Sequence, residues 1–314
     1  MSNLFLGIDG GGTYTRAAIA DAEGHVCASV KRQGGAFLAK NPNAVADVHS
    51  AVEEAARQAG CALGDIAALT AGVAGYDKRR DLRWVKKLTN VSGLACAKQH
   101  VNDAAVAVRG AFCLRPGIAA IGGTGSIVAG MTEQGKLVRN YDFRHYANVS
   151  ALWLSRNAVQ KLVLGEADAS DHELINAVLR ALGVEDISRI KPLKDYSMKA
   201  FSDLGPVITE AALKGSHIAE NVCRQAAGEV VEGIRLVGSR FKVRPVSVAL
   251  IGSAINSTVV KQEIAARLAD DPDFVLKEAA LPPVLGAVLM AMQSADTAIN
   301  EHIATNLRKG AEQP

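Results

Sequence analysis

The sequence predicts an α/β protein in which one supersecondary unit occurs twice. Each copy opens with a buried strand, a glycine-rich turn and a second strand, first at residues 3–20 and again at residues 118–131. Strands and helices then alternate, as expected for mixed sheets covered by helices. A repeated unit of this kind indicates duplicated domains more strongly than either glycine turn does alone.

The first half of the chain has the pattern of a β-meander followed by alternating helices and strands. Three short strands separated by glycine-containing turns are predicted at residues 3–9, 14–20 and 25–31. A helix is expected from about Ala44 to Ala59, because its valines recur at helical spacing. The elements that follow are a strand at 66–72, a helix at 77–88, a strand at 95–101 and a helix at 104–112.

The second half repeats the opening and then adds several helices. Strands are predicted at 118–121, 126–131 and 137–141, with a final buried strand at 246–251. Helical patterns cover residues 151–164, 172–182, 201–215, 218–241, 258–269 and 284–292. The stretch Leu-Arg-Pro-Gly at 114–117 separates the halves. The predicted domains are therefore residues 1–115 and 116–314, and the last helix could pack back on the first domain.

Composition and charge limit the class of protein. Of the 314 residues, 49% are hydrophobic and 21% are charged, which favours a sizeable core and excludes a disordered or fibrous chain. The net charge is +3, and the basic cluster at 78–87 is interrupted as on the solvated face of a helix. It lacks the interleaved aromatic residues of a nucleic-acid groove. No apolar stretch reaches the length of a membrane span.

The cysteine pattern and the start of the chain indicate a cytoplasmic protein. The five cysteines are odd in number and form no Cys-x-x-Cys pair, so we expect buried, reduced thiols rather than a disulfide framework. Asp9 interrupts the first apolar run and no basic segment precedes it, so the pattern does not resemble a signal peptide.

The turn between the first two strands contains Gly10, Gly11, Gly12 and Thr13. Without Cβ atoms, the glycine N–H groups can converge on an anion, and the threonine hydroxyl adds a donor. Asp9 at the strand end could hold a phosphate-bound Mg²⁺ through water, or could simply be a turn residue. A strand follows the glycines and no Gly-x-x-x-x-Gly-Lys-Ser/Thr motif is present, which excludes both a Rossmann fingerprint and a P-loop.

A second hairpin repeats this chemistry one domain later, at Gly122, Gly123, Thr124, Gly125 and Ser126. Two such hairpins facing each other would hold a polyphosphate in a cleft that can close. A third glycine site, Gly252–Ser253, lies between a strand and a helix. It would suit backbone packing against an adenine ring, or it could be an ordinary strand-to-helix turn.

These motifs, in this order, resemble those of the actin/hexokinase/Hsp70 ATPase superfamily, and within it the BadF/BadG/BcrA/BcrD ATPase and N-acetylglucosamine kinase family. The matching segments are 7–16, 69–77, 101–105, 117–130, 248–253 and 282–292, which together span nearly the whole chain. The resemblance implies duplicated ribonuclease H-like domains of the actin-like ATPase type with a nucleotide cleft between them. It also implies ATP and Mg²⁺ as cofactors, a small sugar acceptor and a homodimer.

Asp103, in Val-Asn-Asp-Ala-Ala, resembles the family's catalytic base. A carboxylate at a strand end could accept the proton that a sugar hydroxyl loses as it attacks the γ-phosphate of ATP. Alternatively, Asp103 merely caps the helix that follows. The family's sugar-contacting asparagine corresponds to Asn41, with Asn43 as the second choice, although both could be turn formers in their loop.

The segment Arg139–Ser150 departs from the family pattern. Ala147 and Asn148 stand where the family's sugar kinases have Asp and Glu, and the neighbouring glycines are absent. We retain Asn148 as a candidate substrate contact. Three basic residues would suit an anionic acceptor or simply face solvent: Arg139, Arg144 and His145.

The leading hypothesis is an ATP- and Mg²⁺-dependent kinase for an amino sugar such as N-acetylglucosamine or glucosamine. A second is an ATPase that drives conformational change in a partner. The family's activators resemble iron–sulfur proteins, however, and no cysteine spacing here supports a cluster. A third is a nucleotide- or metabolite-binding regulator that has lost transfer activity, which only the altered segment favours.

Overall fold

The computed structural model describes residues 3–192 and 195–311, and the chain divides into two compact units. The first unit comprises Met1–Gly117 and Glu278–Pro314, and the second comprises Ile118–Lys277. The sequence predicts limits of 1–115 and 116–314, which place residues 278–314 in the second domain but allow the last helix to pack back on the first. These residues group with the first unit because their helices share an apolar cluster with its strands.

The described residues form ten β-strands and ten α-helices, numbered here in chain order. The strands are β1 Leu4–Gly10, β2 Tyr14–Ala20, β3 Val26–Gln33, β4 Ile66–Val73, β5 Ala97–Asn102, β6 Gly117–Gly122, β7 Ser126–Met131, β8 Leu137–Arg139, β9 Val246–Ile251 and β10 Phe274–Leu276. The helices are α1 Ala44–Ala59, α2 Leu82–Leu88, α3 Asp103–Ala111, α4 Ala151–Val163, α5 His172–Leu182, α6 Met198–Leu213, α7 His217–Gly238, α8 Thr258–Leu268, α9 Pro283–Ser294 and α10 Glu301–Ala311. None of these helices is both long and apolar enough to cross a lipid bilayer.

The first unit is built on a five-stranded sheet with the order β3-β2-β1-β4-β5. The first three strands form an antiparallel meander, whereas β1, β4 and β5 run parallel. Successive residues of β1 face opposite layers: Leu6 and Ile8 join the cluster beneath α1, and Phe5 joins the cluster beneath α9. Helices therefore cover both faces of the sheet.

The second unit repeats this topology. Its sheet has the order β10-β9-β6-β7-β8, which from the other end gives β8-β7-β6-β9-β10 and corresponds strand for strand to the first sheet. One cluster joins buried residues of this sheet to α4, α6, α7 and α8. The predicted duplication and the α/β class are therefore confirmed.

Several elements differ from the sequence-based expectation. The strand β10 and the helix α10 were not predicted, so the strand at 246–251 is not the last one. The helix expected at 77–88 begins only at Leu82, because Arg79–Asp81 forms a 3₁₀ turn. The strand expected to reach residue 141 ends at Arg139, where the 3₁₀ turn Asn140–Phe143 begins.

The expectation of buried cysteines is wrong for most of them. Only Cys223 is buried, three other thiols are partly exposed, and Cys27 is exposed. Cys27 lies on β3, an edge strand, where alternate side chains point to solvent.

Close contact between α3 and α9 depends on missing side chains. A Cβ atom on Gly286 would lie 2.1 Å from the carbonyl oxygen of Val106 and 2.6 Å from the backbone nitrogen of Gly110. A Cβ atom on Gly7 of β1 would lie 2.5 Å from the carbonyl oxygen of Val284. Both glycines face backbone atoms, which cannot rotate away, so α9 can lie this close to its neighbours only where these positions carry no side chain.

We predict that Gly286→Ala lowers the free energy of unfolding by about 2 kcal/mol or more, because the methyl group must displace the backbone of α3. Gly64→Ala is the matched control, since its Cβ would meet no atom within 4 Å and Gly64 is exposed. We expect the control to change stability by less than about 0.5 kcal/mol. Urea denaturation of both variants measures the difference, and equal stabilities would contradict this packing argument.

Candidate active site

The carboxyl ends of the parallel strands β1, β4 and β5 meet at one edge of the first sheet. The register pairs Asp9 with Gly72, and Gly72 with Val101 two residues before Asp103. Asp77 follows shortly after the end of β4. The topology therefore places three carboxylates along one sheet edge, and the charges of Asp9 and Asp77 both act on Asp103.

Asp103 is half-buried, and its environment disfavours the charged form. Burial is the largest cause, the negative charge of Asp9 is the next one, and together they raise the pKa of Asp103 to about 7. A hydrogen bond from the Ala104 N–H lowers the pKa of Asp103, whereas the negative charge of Asp77 raises it further. A carboxyl group with a pKa near neutrality is suited to accept and release a proton at ordinary pH.

Asn102, rather than Asp103, is the N-cap residue of α3. Its Oδ1 accepts from the Ala104 N–H at 3.0 Å, and its amide donates to the Tyr76 carbonyl and to Asp77 Oδ1, both at 3.3 Å. Asp103 is the first helical residue, and its Oδ1 also lies 3.0 Å from the Ala104 nitrogen. Since Asn102 already caps the helix, capping does not account for a carboxylate at position 103.

Asp9 is buried and is held by Arg16 on the neighbouring strand. The two residues are directly paired in the β1–β2 register, and Arg16 Nη1 lies 3.2 Å from Asp9 Oδ2. Burial raises the pKa of Asp9, while the charge and hydrogen bond of Arg16 act in the opposite direction. The ion pair fixes the orientation of this carboxylate beside the first glycine turn.

In the first glycine hairpin, packing explains why residue 10 is glycine but does not explain why residue 12 is glycine. A Cβ on Gly10 would lie 2.4 Å from the Ala36 Cβ, so close contact with the loop after β3 requires glycine there. The Gly11 N–H closes the turn by donating to the Tyr14 carbonyl, and the Gly34 N–H donates to the Thr13 carbonyl. A Cβ on Gly12, however, would meet no atom within 4 Å. The space beside Gly12 is open to a ligand.

The second hairpin also contains one glycine that packing requires and others that face open space. A Cβ on Gly122 would lie 2.7 Å from Val149 Cγ1, whereas Cβ atoms on Gly123 and Gly125 would enter open space. The turn is closed by the Gly123 N–H, which donates to the Gly125 carbonyl at 2.9 Å, and Thr124 at its tip is exposed. Both hairpins therefore present backbone without side chains to open space, as an anion-binding turn requires.

The third glycine site packs against the second hairpin. Gly252 has a φ of +108°, and a Cβ there would lie 2.4 Å from the Gly122 carbonyl oxygen. That oxygen accepts from the N–H groups of Ala254 and Ile255. Backbone geometry thus accounts for Gly252 without a ligand, while Ser253 beside it is exposed. Their contact with an adenine ring stays a prediction.

The candidate substrate asparagines have different environments. The Asn41 amide donates to the Gly35 carbonyl and to Asp47 Oδ2, both at 2.7 Å, and its Oδ1 accepts from the Asn43 N–H. These bonds give Asn41 a role in shaping its loop. Asn148 is half-buried, and its backbone N–H donates to Glu229 Oε2 at 3.2 Å.

Two carboxylates beside candidate site residues were not assigned from the sequence: Asp77, which accepts from the Asn102 amide, and Glu229, which accepts from the Asn148 N–H. Asp77 lies in a segment that resembles the family's connecting motif, so a signal existed. Glu229 lies on α7, 81 residues from Asn148, and sequence spacing could not have indicated the contact. The segment Arg139–Ser150, which lacks the family's carboxylates, therefore contacts a carboxylate that helix α7 contributes.

The donor set fits a magnesium ion bound together with phosphate. Among the described residues, no group of three or more His, Cys, Asp or Glu side chains could hold a metal by itself. Mg²⁺ usually binds one or two carboxylates, several waters and the phosphates of its substrate. Asp9 and Asp103, whose like charges repel each other, are oxygen donors of the kind this ion prefers.

The sequence match over most of the chain shows the family. The model of the BadF/BadG/BcrA/BcrD ATPase family matches residues 6–291, and the chain belongs to that family. Its sequence is 24% identical over 264 residues to the N-acetylmuramic acid/N-acetylglucosamine kinase of Clostridium acetobutylicum, covering 80% of this chain and 85% of that protein.

Solved structures show the same fold. A candidate N-acetylglucosamine kinase from Chromobacterium violaceum superimposes with a TM-score of 0.75 at 22% identity, covering 92% of this chain and 99% of that one. A ROK family glucokinase from Streptomyces griseus, solved with glucose and AMPPNP, gives 0.62 at 19% identity, covering 93% and 100%. These similarities confirm the expected duplicated domains of the actin-like ATPase type.

We predict that Gly12→Ala weakens ATP binding about tenfold without loss of stability, because its methyl group enters only the open space beside the turn. Gly10→Ala is the control for packing and should lower the melting temperature, because its methyl group would clash with Ala36. Calorimetric titration with ATP and thermal unfolding separate the two effects. Unchanged ATP affinity in Gly12→Ala would count against a phosphate at this hairpin.

Proposed function

We propose that the protein transfers the γ-phosphoryl group of ATP to a hydroxyl group of an amino sugar such as N-acetylglucosamine or glucosamine. The observation that carries the proposal is the placement of Asp103, a half-buried carboxyl at the end of β5 with a pKa raised to about 7. The names of the relatives support the substrate class, since one is an N-acetylmuramic acid/N-acetylglucosamine kinase and another a glucokinase.

In this proposal Asp103 is the general base. As the acceptor oxygen forms its bond to the γ-phosphorus and the bond to ADP breaks, the hydroxyl proton passes to the Asp103 carboxylate. Base catalysis of this kind contributes roughly 10²- to 10⁴-fold. A bound Mg²⁺, oriented by Asp9, would neutralise charge on the phosphates.

The remaining candidate residues bind rather than react. The hairpins Gly10–Thr13 and Gly122–Ser126 would hold phosphate oxygens through backbone N–H groups and hydroxyls, because their open faces carry no side chain. Gly252–Ser253 would lie beside the adenine ring. Asn148 would contact the acceptor. Asn41 would contribute to acceptor binding less directly, by shaping its loop. A homodimer, implied by the resemblance, and a cytoplasmic location, indicated by the cysteine pattern and the start of the chain, stay predictions.

The proposed activity is tested by coupled ADP release over a panel of hexosamines and other polyols. We expect turnover that rises in the presence of an amino sugar. A protein that hydrolyses ATP at one rate with every acceptor would be an ATPase of this family, and a protein that binds ATP without turnover would be a regulator.

We predict that Asp103→Asn lowers acceptor-dependent turnover by about 10² to 10⁴ while ATP still binds, because the amide cannot accept the hydroxyl proton. Asp203→Asn, an exposed aspartate on α6, serves as the control and should retain wild-type turnover. Steady-state kinetics with calorimetric ATP titration measures both quantities. If Asp103→Asn turned over at the wild-type rate, Asp103 would not be the base.

The pH dependence should follow the pKa of Asp103. The base acts in its unprotonated form, so kcat/KM should fall as the pH drops below about 7. Asp77→Asn removes a negative charge that raises this pKa, so the inflection should move to lower pH. Initial rates between pH 5 and pH 9 test the direction of the shift. An inflection that stays in place or moves to higher pH would contradict the assignment.

A further inference from the structure

A cavity of about 340 Å³ lies between the end of α2 and the edge strand β5 of the first unit, and we call it the lysine pocket. Its volume is within the range of small-molecule sites. The residues that line it are polar or basic, and none of them is a carboxylate: Lys86, Lys87, Thr89, Asn90, Lys98 and His100. The three carboxylates of the candidate active site are not among them, so the lysine pocket is a separate feature of the unit.

Two half-buried side chains of β5 are held in place within the lysine pocket. Lys98 Nζ donates to the Thr89 carbonyl at 2.8 Å, and since an ammonium group has three N–H donors, two remain. Thr89 is buried, and its Oγ1 lies 2.8 Å from Nε2 of His100. Nδ1 of His100 has no hydrogen-bond partner among residues 3–192 and 195–311. The inner part of the pocket therefore offers polar groups in fixed positions.

The positive charge of the lysine pocket is not offset by a neighbouring carboxylate. Within the described parts of the chain, no ion pair involves Lys86, Lys87 or Lys98. Burial and the charges of Lys86 and Lys98 all lower the pKa of His100, and no acidic group acts on it in the opposite direction. The pocket is therefore electropositive and lacks a counter-ion from the protein.

Helix capping does not account for the two lysines of α2. Basic residues in the last turn of a helix often bind its free carbonyl groups. Here the Lys86 carbonyl accepts from the Thr89 N–H, and the Lys87 carbonyl accepts from the Asn90 N–H and lies 3.1 Å from His49 Nε2. The carbonyl groups thus have other donors, and the ammonium groups of both lysines stay available to a ligand.

We propose that the lysine pocket binds the phosphate group of a small anion, either free phosphate or the phosphate monoester of a sugar. Lys98 donates to the phosphate oxygens through its two remaining N–H groups, and Lys86 and Lys87 add charge from the exposed side. A phosphate group fills only part of a cavity of about 340 Å³, so a sugar has room beside it. This site goes beyond the proposed phosphoryl transfer and does not depend on it.

Calorimetric titration of the full chain with inorganic phosphate tests the site, with Mg²⁺ and AMPPNP present to fill the nucleotide site. Lys98→Gln should raise the Kd about tenfold, because a charge-assisted contact is lost while the new amide can still donate to the Thr89 carbonyl. Lys87→Gln should raise it about threefold, and this exposed side chain has no bond whose loss could disturb folding. Lys136→Gln, in the exposed turn between β7 and β8, is the control for losing one positive charge and should stay within about twofold.

The same titrations with glucosamine 6-phosphate distinguish the two sources of the phosphate group. A lower Kd than for inorganic phosphate, raised by Lys98→Gln, supports a site for a sugar phosphate, whereas equal values with the same response support a site for free phosphate. The proposal is overturned if the wild-type protein binds neither anion at about 10 mM, or if Lys98→Gln has no more effect than Lys136→Gln. Because titration requires no turnover, this result is independent of whether the protein is a kinase.

Discussion

The repulsion between carboxylates at one edge of the first sheet is the constraint on which the site depends. Three parallel strands end together there, and each is followed or terminated by an aspartate. Burial of Asp103 disfavours its charged form, and the negative charges of Asp9 and Asp77 add to this effect, so Asp103 is driven toward its protonated form. Arg16 offsets part of the charge of Asp9, whereas among the described residues no cation lowers the pKa of Asp103. The arrangement is costly for folding and useful for proton transfer, as is typical of active sites.

Glycine has two separate roles in this molecule. At Gly286, Gly10 and Gly252 the neighbouring atoms leave no space for a Cβ, so these residues allow the layers and loops to approach each other. At Gly12, Gly123 and Gly125 nothing in the structure requires glycine, and the hairpins are open where a phosphate would lie. The sequence shows only runs of glycine, whereas the contacts separate the glycines that packing requires from those that face open space.

Much of the fold was predictable because its signals are local. Hydrophobic periodicity and the repeated strand–glycine–strand pattern predicted the two related sheets. The three-residue strand β10 was missed because so short a segment has no measurable alternation, and its pairing with β9 is a long-range contact. Asp103 could be identified as a candidate base by its motif. The contact of Glu229 with Asn148 could not be predicted, because tertiary packing alone creates it.

The proposed kinase differs from an ATPase in one respect: at the Asp103 edge the phosphoryl group passes to an amino sugar rather than to water. The most direct measurement is ³¹P NMR of a reaction containing the protein, ATP, Mg²⁺ and N-acetylglucosamine or N-acetylmuramic acid. We expect a new phosphomonoester signal that grows in equal amount with ADP and stays absent when the sugar is left out. Formation of ADP with inorganic phosphate alone, at the same rate with and without the sugar, would contradict it.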